Sequence, residues 1–545
     1  MTNRITLGLR RRLAVGTMLL SACLSAGDES EPLEVLWVQY GLANDTLKLA
    51  AHTNADPHHP TTATARLQVG EGAGWETISE VSVDPLTTVA EFRIDNWDSS
   101  QNARYRVLCG EGEIEGTVRA DPVDQKIITL MAVSCVNDKR FPYEKAVAQM
   151  VSQDPDLVFF AGDQLYQTNS GGLTLHANTE AEVVPAMALY LAKWRKFGLT
   201  FRDLLKDRPS IILTDDHDVY ATDLWGNGGK RMDVEGQPNE PYIFSNATDR
   251  KRMTMNRTKG GYLHPKWVNA VERAQMWHLP DGAQPGPWGD GIFAYFTSLE
   301  FGGVSFAIIE DRKFKSPPSD AHSVPLQDPE LDKPNTDLET IMDPYFDTET
   351  LDIPGLNLLG EAQEEFLREW SAEVAQSGRL AAVLHQSPFA NVGNYRAKYG
   401  DMDSNGWPQT ARDTAIRAMI PAQPVLVSGD LHYATIFQHG VDEWGEGPWA
   451  YSLPAFSAGQ GRTWGPSVEP QGGAIPGMAG SGNHYDRMGN KVTMVAKADG
   501  VSGYGSILFN KASREITFQI YPMDPDTLEP IELEVPGWPK RITVE

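Results

Sequence analysis

The sequence predicts an α/β domain built on a mostly central buried sheet, preceded by an all-β sandwich domain. Three observations predict it. Residues 33–122 read as short alternating strands punctuated by Gly, Asp, Asn and Pro. From residue 127 onward, continuous apolar runs alternate with stretches of helical spacing. The chain has 545 residues, too many for one hydrophobic core.

The N-terminal strands are EVLWVQYGL, TLKLAAHT, TARLQVG, AEFRID, ARYRVLCG and EIEGTVRA, closed by Asp121-Pro122. The larger domain is expected over residues 127–525. It opens with IITLMAVSC, a run suited to a strand buried on both faces. PYEKAVAQMVSQ follows, with Ala146, Val147, Met150 and Val151 at helical spacing. DLVFFAGD, SIILTDDHD, GGVSFAIIED, RLAAVLHQ and QPVLVSGDLHYA read as strands; residues 183–206 and GEAQEEFLREWSAEVAQ read as helices. Residues 223–292 and 315–358 show little periodicity and read as insertions beside a site. YGSILFN and REITFQIYPMD form a closing hairpin-like pair, and 526–545 is expected as a C-terminal tail.

The first residues carry a different message. Arg4, Arg10, Arg11 and Arg12 precede the apolar run LAVGTMLLSAC, too short to span a bilayer and shaped like a secretory signal. Leu20-Ser21-Ala22-Cys23 resembles a lipobox, which implies cleavage after residue 22, a lipid anchor at Cys23 and a place in the bacterial envelope or periplasm. The alternative is a plain signal peptide with an incidental cysteine. Removing residues 1–22 takes away four arginines and no acid, so a net charge of −26 becomes more negative still. That balance argues against a nucleic-acid backbone as partner, and no nucleic-acid binding is expected. It favours divalent cations nearby and leaves an anionic substrate dependent on a locally positive or metal-filled site.

Chemistry gathers where the buried strands stop. Cys135 follows LMAVS, and Asp163 with Tyr166 follows LVFFAG. Asp215, Asp216, His217 and Asp218 follow SIILT; Glu310 and Asp311 follow VSFAII; His385 follows LAAVL; Asp430 and His432 follow VLVSG. Ligands of open α/β sheets bind outside the carboxyl ends of the strands, so these groups should converge. Carboxylates, imidazoles, a phenolate and a thiolate make a mixed hard and borderline donor set, and a phenolate suits ferric iron. A bridging carboxylate such as Asp163 holds two cations about 3.5–4 Å apart, the spacing that clamps a phosphoryl transfer. No G-x-S-x-G elbow is present, which disfavours a serine hydrolase.

GDQLY (162–166), DDHD (215–218), SGDLH (428–432) and the AVSC of Cys135 resemble the signatures of PhoD-type alkaline phosphatases and phosphodiesterases, within the calcineurin-like metallophosphoesterase superfamily. The resemblance implies that the α/β domain is a metallophosphoesterase-like central mixed-sheet sandwich with flanking helices, and it implies two or more metal ions, Fe³⁺ and Ca²⁺. Cys135, Asp163 and Tyr166 would bind the iron-like ion, Asp163 would bridge, and Asp216 would hold the second ion. Asp430, His432 and His385 would complete the shell. His217 would contact the phosphate or act as general acid, and Arg312 in EDRKFK (310–315) would contact the phosphate. The chain departs from the pattern after DDHD, where Ala221, Thr222 and Asp223 stand in place of an asparagine.

Two readings stay open for Cys135: a thiolate ligand, or half of a Cys109–Cys135 disulfide. The leading function is an exported phosphoester hydrolase in which a metal-bound hydroxide attacks phosphorus in line. Its substrate would be a small phosphate ester or an envelope phosphodiester polymer. The alternatives are a phosphodiesterase of the same fold and a metal-stabilised surface binding protein without turnover.

Overall fold

Successive side chains of a strand point to opposite faces, and in the computed structural model that alternation divides each buried run between two cores. In β9 (Leu157–Phe160), Val158 and Phe160 pack with helix residues Trp194, Phe197 and Phe201. Leu157 and Phe159 instead join Phe306, Ile308 and Leu384 in a layer between two sheets. β14 (Ala381–Leu384) does the same from the other side: Leu384 and Ala382 face the inter-sheet layer. Val383 and Ala381 face a helical layer with Leu367, Trp370 and Met419. The result is helix, sheet, sheet, helix.

The described residues are 32–137, 140–166, 173–219, 223–232, 259–323, 338–343, 345–395, 400–459, 461–466 and 470–544. The signal and lipobox, residues 1–23, lie outside them, as does most of each insertion's centre. By contacts the chain divides into Met1–Leu33 and Glu34–Glu545, and the architecture here is that of the second unit. No helix among the described residues is long and apolar enough to cross a membrane.

One sheet has six strands: β10 (Ser210–Ile212), β9, β8 (Ile127–Val133), β23 (Ser502–Asn510), β24 (Glu515–Met523) and β25 (Lys540–Thr543). β8, β9 and β10 are parallel, so their carboxyl ends share one edge. The helices Glu144–Ser152 and Val183–Leu205 cover its outer face through residues such as Met150, Tyr190 and Trp194. The C-terminal hairpin pairs as expected, and β23 also closes on β8. Residues beyond 525 are not a simple tail, because β25 pairs with β24 at the sheet edge.

The second sheet has eight strands, ordered β11 (Thr297–Phe301), β12 (Val304–Ile308), β14, β17 (Val425–Ser428), β19 (Trp449–Ser452), β18 (Ala434–His439), β22 (Lys491–Ala498) and β21 (Gly482–Tyr485). β12, β14, β17 and β19 are parallel. The helices Glu361–Ser377 and Gln409–Met419 pack on its outer face.

Ahead of these lie a three-stranded sheet, β1 (Val35–Ala43), β2 (Thr46–Thr53) and β5 (Val89–Asp95), and a four-stranded one. The latter is β4 (Glu76–Ser82), β3 (Thr64–Val69), β6 (Ala103–Cys109) and β7 (Gly112–Val118). β4 was not legible in the sequence: no side chain of ETISEVS is fully buried, so no apolar alternation marks it. Trp37 on β1 stacks on His52 at 4.1 Å and meets Trp194 edge-on at 6.1 Å, fastening the β region to the helix Val183–Leu205.

The stretch 223–292 is not wholly irregular. Pro265–Met276 is a helix with Trp267, Val268, Val271 and Ala274 in the core, a spacing that PKWVNAVERAQM carries.

Candidate metal centre

The ends of the parallel strands β8, β9, β10 and β17 bring polar residues together. Four of them sit on left-handed backbone: Cys135 (φ 58°), Asp163 (φ 58°), Asp430 (φ 64°) and His432 (φ 51°). Such torsions are costly for non-glycine residues and persist where the surroundings hold them. Here loop hydrogen bonds do the holding: Cys135 N–H donates to Gly162 O at 3.2 Å and Val136 N–H to Asp163 O at 2.8 Å. Gly162 (φ 103°) is obligatory as well, because a Cβ there would lie 2.4 Å from Asp215 Cβ. A Cβ on Gly429 would lie 1.8 Å from Ser134 Oγ, so the SGD turn also requires glycine.

The ligand-type atoms form overlapping groups, each within 4.8 Å: Cys135, Asp163 and His432; Asp163, Asp216 and His217; Asp215, Asp216 and Asp430. Asp163 and Asp216 each belong to two of them. Tyr166 joins the first, its hydroxyl 2.7 Å from His432 Nε2, and its ring lies 4.3 Å from that of His217. His217 N–H donates to Asp163 Oδ1 at 3.3 Å, and its Nε2 lies 3.8 Å from Asp216 Oδ2.

The electrostatics suit cations. Burial, then the neighbouring acids Asp215, Asp218 and Asp430, push Asp163 well above the usual carboxylate range. Burial does the same to Asp216, against the pull of His217. Burial also raises the Cys135 thiol and the Tyr166 phenol, with Asp163 adding to both. It lowers His432 to about 3, with Arg462 and His217 adding to the effect. Among the described residues, Asp216 Oδ1 and His217 Nδ1 are buried without a hydrogen-bond partner. Crowded acids and orphaned lone pairs of this kind fit a metal, which stabilises the deprotonated donors.

The sequence model of the PhoD-like phosphatases matches residues 130–448, more than half of the chain. This chain belongs to the PhoD-like phosphatase family. It is a phosphoric ester hydrolase of a metal-dependent kind. The fold is that of PhoD itself: one solved structure of PhoD aligns with TM-score 0.58 at 14% identity, covering 92% of this chain and 88% of that one. The purple acid phosphatase PPD1 from yellow lupin (Lupinus luteus) seeds aligns with TM-score 0.50 at 9% identity, covering 90% and 71%. Among curated proteins, no sequence matches.

Two expected residues make other contacts than those expected of them. His385 follows Val383 and Leu384 in alternation and therefore turns toward the helical layer, its ring 5.0 Å from Phe389. Its Nδ1 pairs with Asp311 Oδ2 at 3.1 Å, and it enters no group of ligand atoms among the described residues. Arg312, expected to contact phosphate, is 1% exposed, with its donors taken up by the protein. Nε binds Asp215 Oδ1 at 2.6 Å, Nη1 binds Asp403 Oδ1 at 2.5 Å, and Nη2 lies 3.1 Å from Asp430 Oδ2. It is the buried counter-charge of the acids.

Sequence reasoning passed over Asp401 and Asp403, which with Asp223 form a fourth acidic group. They lie outside any apolar run, so nothing local marks them. The disulfide reading is settled: Cys109 and Cys135 are both free and buried.

Proposed function

We propose that the chain is an exported phosphomonoester or phosphodiester hydrolase acting through two cations and anchored by lipid at Cys23. The observation that carries this reading is the place of Asp163 in two overlapping donor groups. Cys135, Asp163, Tyr166 and His432 are assigned to an iron-like ion, and Asp163, Asp216 and Asp430 to a second ion, calcium by resemblance. When bound, the cations offset the charge on the phosphoryl oxygens and lower the pKa of water.

The chain's own residues supply the rest. Asp163 orients both halves of the centre and also accepts the His217 N–H. His217 keeps part of its ring open, at 20% side-chain exposure against 2% for Asp216, and is the group placed to give a proton to the leaving alkoxide. Arg312 holds Asp215, Asp403 and Asp430 together from beneath. The metals also explain how so acidic a chain would accept an anion. The substrate is a small phosphate ester or an envelope phosphodiester polymer, and no nucleic-acid partner is expected.

The test is elemental analysis of the mature protein purified without chelator, paired with hydrolysis of p-nitrophenyl phosphate and bis-p-nitrophenyl phosphate. Iron with a second metal, and loss of turnover in Asp163→Asn by at least about 10²-fold, is the expected result. The ratio of the two rates chooses monoesterase or diesterase. A metal-free protein without turnover would overturn the reading in favour of a binding protein. Detergent-phase partitioning that disappears in Cys23→Ser tests the anchor.

A further inference from the structure

Asp218 closes the DDHD run, and it ties together the two loops that carry the centre. Its Oδ2 accepts the N–H of Asp163 at 2.9 Å and the N–H of Asp215 at 2.9 Å. Its Oδ1 accepts the N–H of Leu165 at 3.3 Å and Gln275 Nε2 at 3.1 Å. One carboxylate thus bridges the end of β9 to the end of β10. The side chain is 0% exposed, so no water replaces these bonds. It also holds Asp163 in its left-handed conformation, where the backbone alone would relax.

Gln275 is the second half of the clamp. Fully buried on the helix Pro265–Met276, it gives Nε2 to Asp218 and to the Tyr190 hydroxyl, and its Oε1 accepts Gln164 Nε2 at 2.9 Å. Its carbonyl in turn accepts Gln39 Nε2 at 2.7 Å, from β1 of the N-terminal β region. The chain of contacts runs from that region, through one glutamine and one carboxylate, to the bridging ligand.

We infer that Asp218, oriented by Gln275, is a positioning residue that sets the separation of Asp163 from the Asp215–His217 segment. It acts through the ligands and touches neither metal nor substrate. The inference rests on the two-cation reading above. A carboxylate is required, because its oxygens face four donors; an asparagine of the same shape turns an N–H against one or two of them.

The experiment strips the mature full-length protein with chelator and titrates Mn²⁺ back, reading free Mn²⁺ by electron paramagnetic resonance. Circular dichroism and the unfolding temperature of each stripped protein are followed alongside. In Asp218→Asn, Mn²⁺ affinity of the folded protein is expected to fall about tenfold or more, and kcat to fall with little change in KM. Gln275→Met keeps the carboxylate and removes its lateral donor, and a smaller loss in the same direction is expected. It carries the test if Asp218→Asn does not fold.

Lowered stability with unchanged Mn²⁺ affinity and kcat would mean that the residue is structural only and would overturn the inference. Wild-type protein that takes up no Mn²⁺ would overturn the two-cation reading and this inference with it. Wild-type uptake matched by both variants would overturn this inference alone.

Discussion

Arg312 Nε donates to Asp215 Oδ1 at 2.6 Å, in a place where each side chain is only 1% exposed. Around the same guanidinium stand Asp403, Asp430 and, at 3.9 Å, Asp216. Removing one partner of a buried charged pair costs about 3–5 kcal/mol, since the remaining charge has no compensation. Arg312→Met should therefore destabilise the metal-free protein by about that much in urea unfolding. Arg312→Lys should recover little, because an ammonium cannot reach two sides of the acid ring in the plane of a fork. Added divalent cation should restore part of the stability in both variants by replacing the missing charge.

The turn before Asp430 leaves no room for a methyl group. Gly429→Ala would set a Cβ 1.8 Å from Ser134 Oγ and 2.3 Å from Ser134 Cβ. Overpacking of this kind costs about 1–3 kcal/mol and moves backbone, here the backbone that carries Asp430 and His432. Turnover should fall with stability, and Ser134→Gly in the same chain should recover part of both. Thermal unfolding and p-nitrophenyl phosphate hydrolysis of the single and double variants check this.

His385 gives the converse outcome. Its partners are Asp311 Oδ2 and the Phe389 ring, and it belongs to none of the groups of ligand atoms among the described residues. His385→Gln should cost about 1–3 kcal/mol through the lost buried hydrogen bond while leaving metal content unchanged by elemental analysis. A matching loss of metal would return it to the ligand set.

His278 provides a pH signature outside the groups of ligand atoms. Burial, then Lys48, lowers it to about 3. The neutral ring lies 3.1 Å from Gln39 Nε2 and 3.1 Å from Ser210 O, one on each nitrogen. An unfolded histidine titrates near 6.5. Below that pH the unfolded chain takes a proton that the folded chain refuses, so this contribution to stability is whole above about 6.5 and declines toward 3. His278→Gln should be less stable than wild type at pH 8. The gap should narrow by about 2 kcal/mol at pH 5, measured by urea unfolding of chelator-treated protein.

How much of this was legible in the sequence follows from what local pattern encodes. Runs such as LVFFAG and VLV are apolar because both faces of their strands are covered, and the ends of such runs single out Cys135, Asp163, Tyr166, Asp216, Asp430 and His432 as candidates. The same pattern misplaced His385, since position after a strand does not tell which face a side chain takes; the alternation of Val383 and Leu384 did. Arg312 is expected as a phosphate contact by resemblance only; the sequence does not show its partner Asp403, 91 residues away. Gln275 and Asp403 were invisible for the same reason: their partners are distant in sequence.

Two of the donor groups draw on both sheets. Cys135 and Asp163 come from the six-stranded sheet and His432 from the eight-stranded one; Asp215 and Asp216 likewise face Asp430. The gap between these halves is therefore fixed by whatever separates the sheets, namely Phe159, Phe306, Leu384, Phe509 and their neighbours. These hydrocarbons carry no chemistry, yet they act as the spacer in a vice whose jaws are the two rows of ligands. Trimming one, deep in the layer and in touch with no ligand, would change the jaw setting, and with it the ion radius that the centre accommodates.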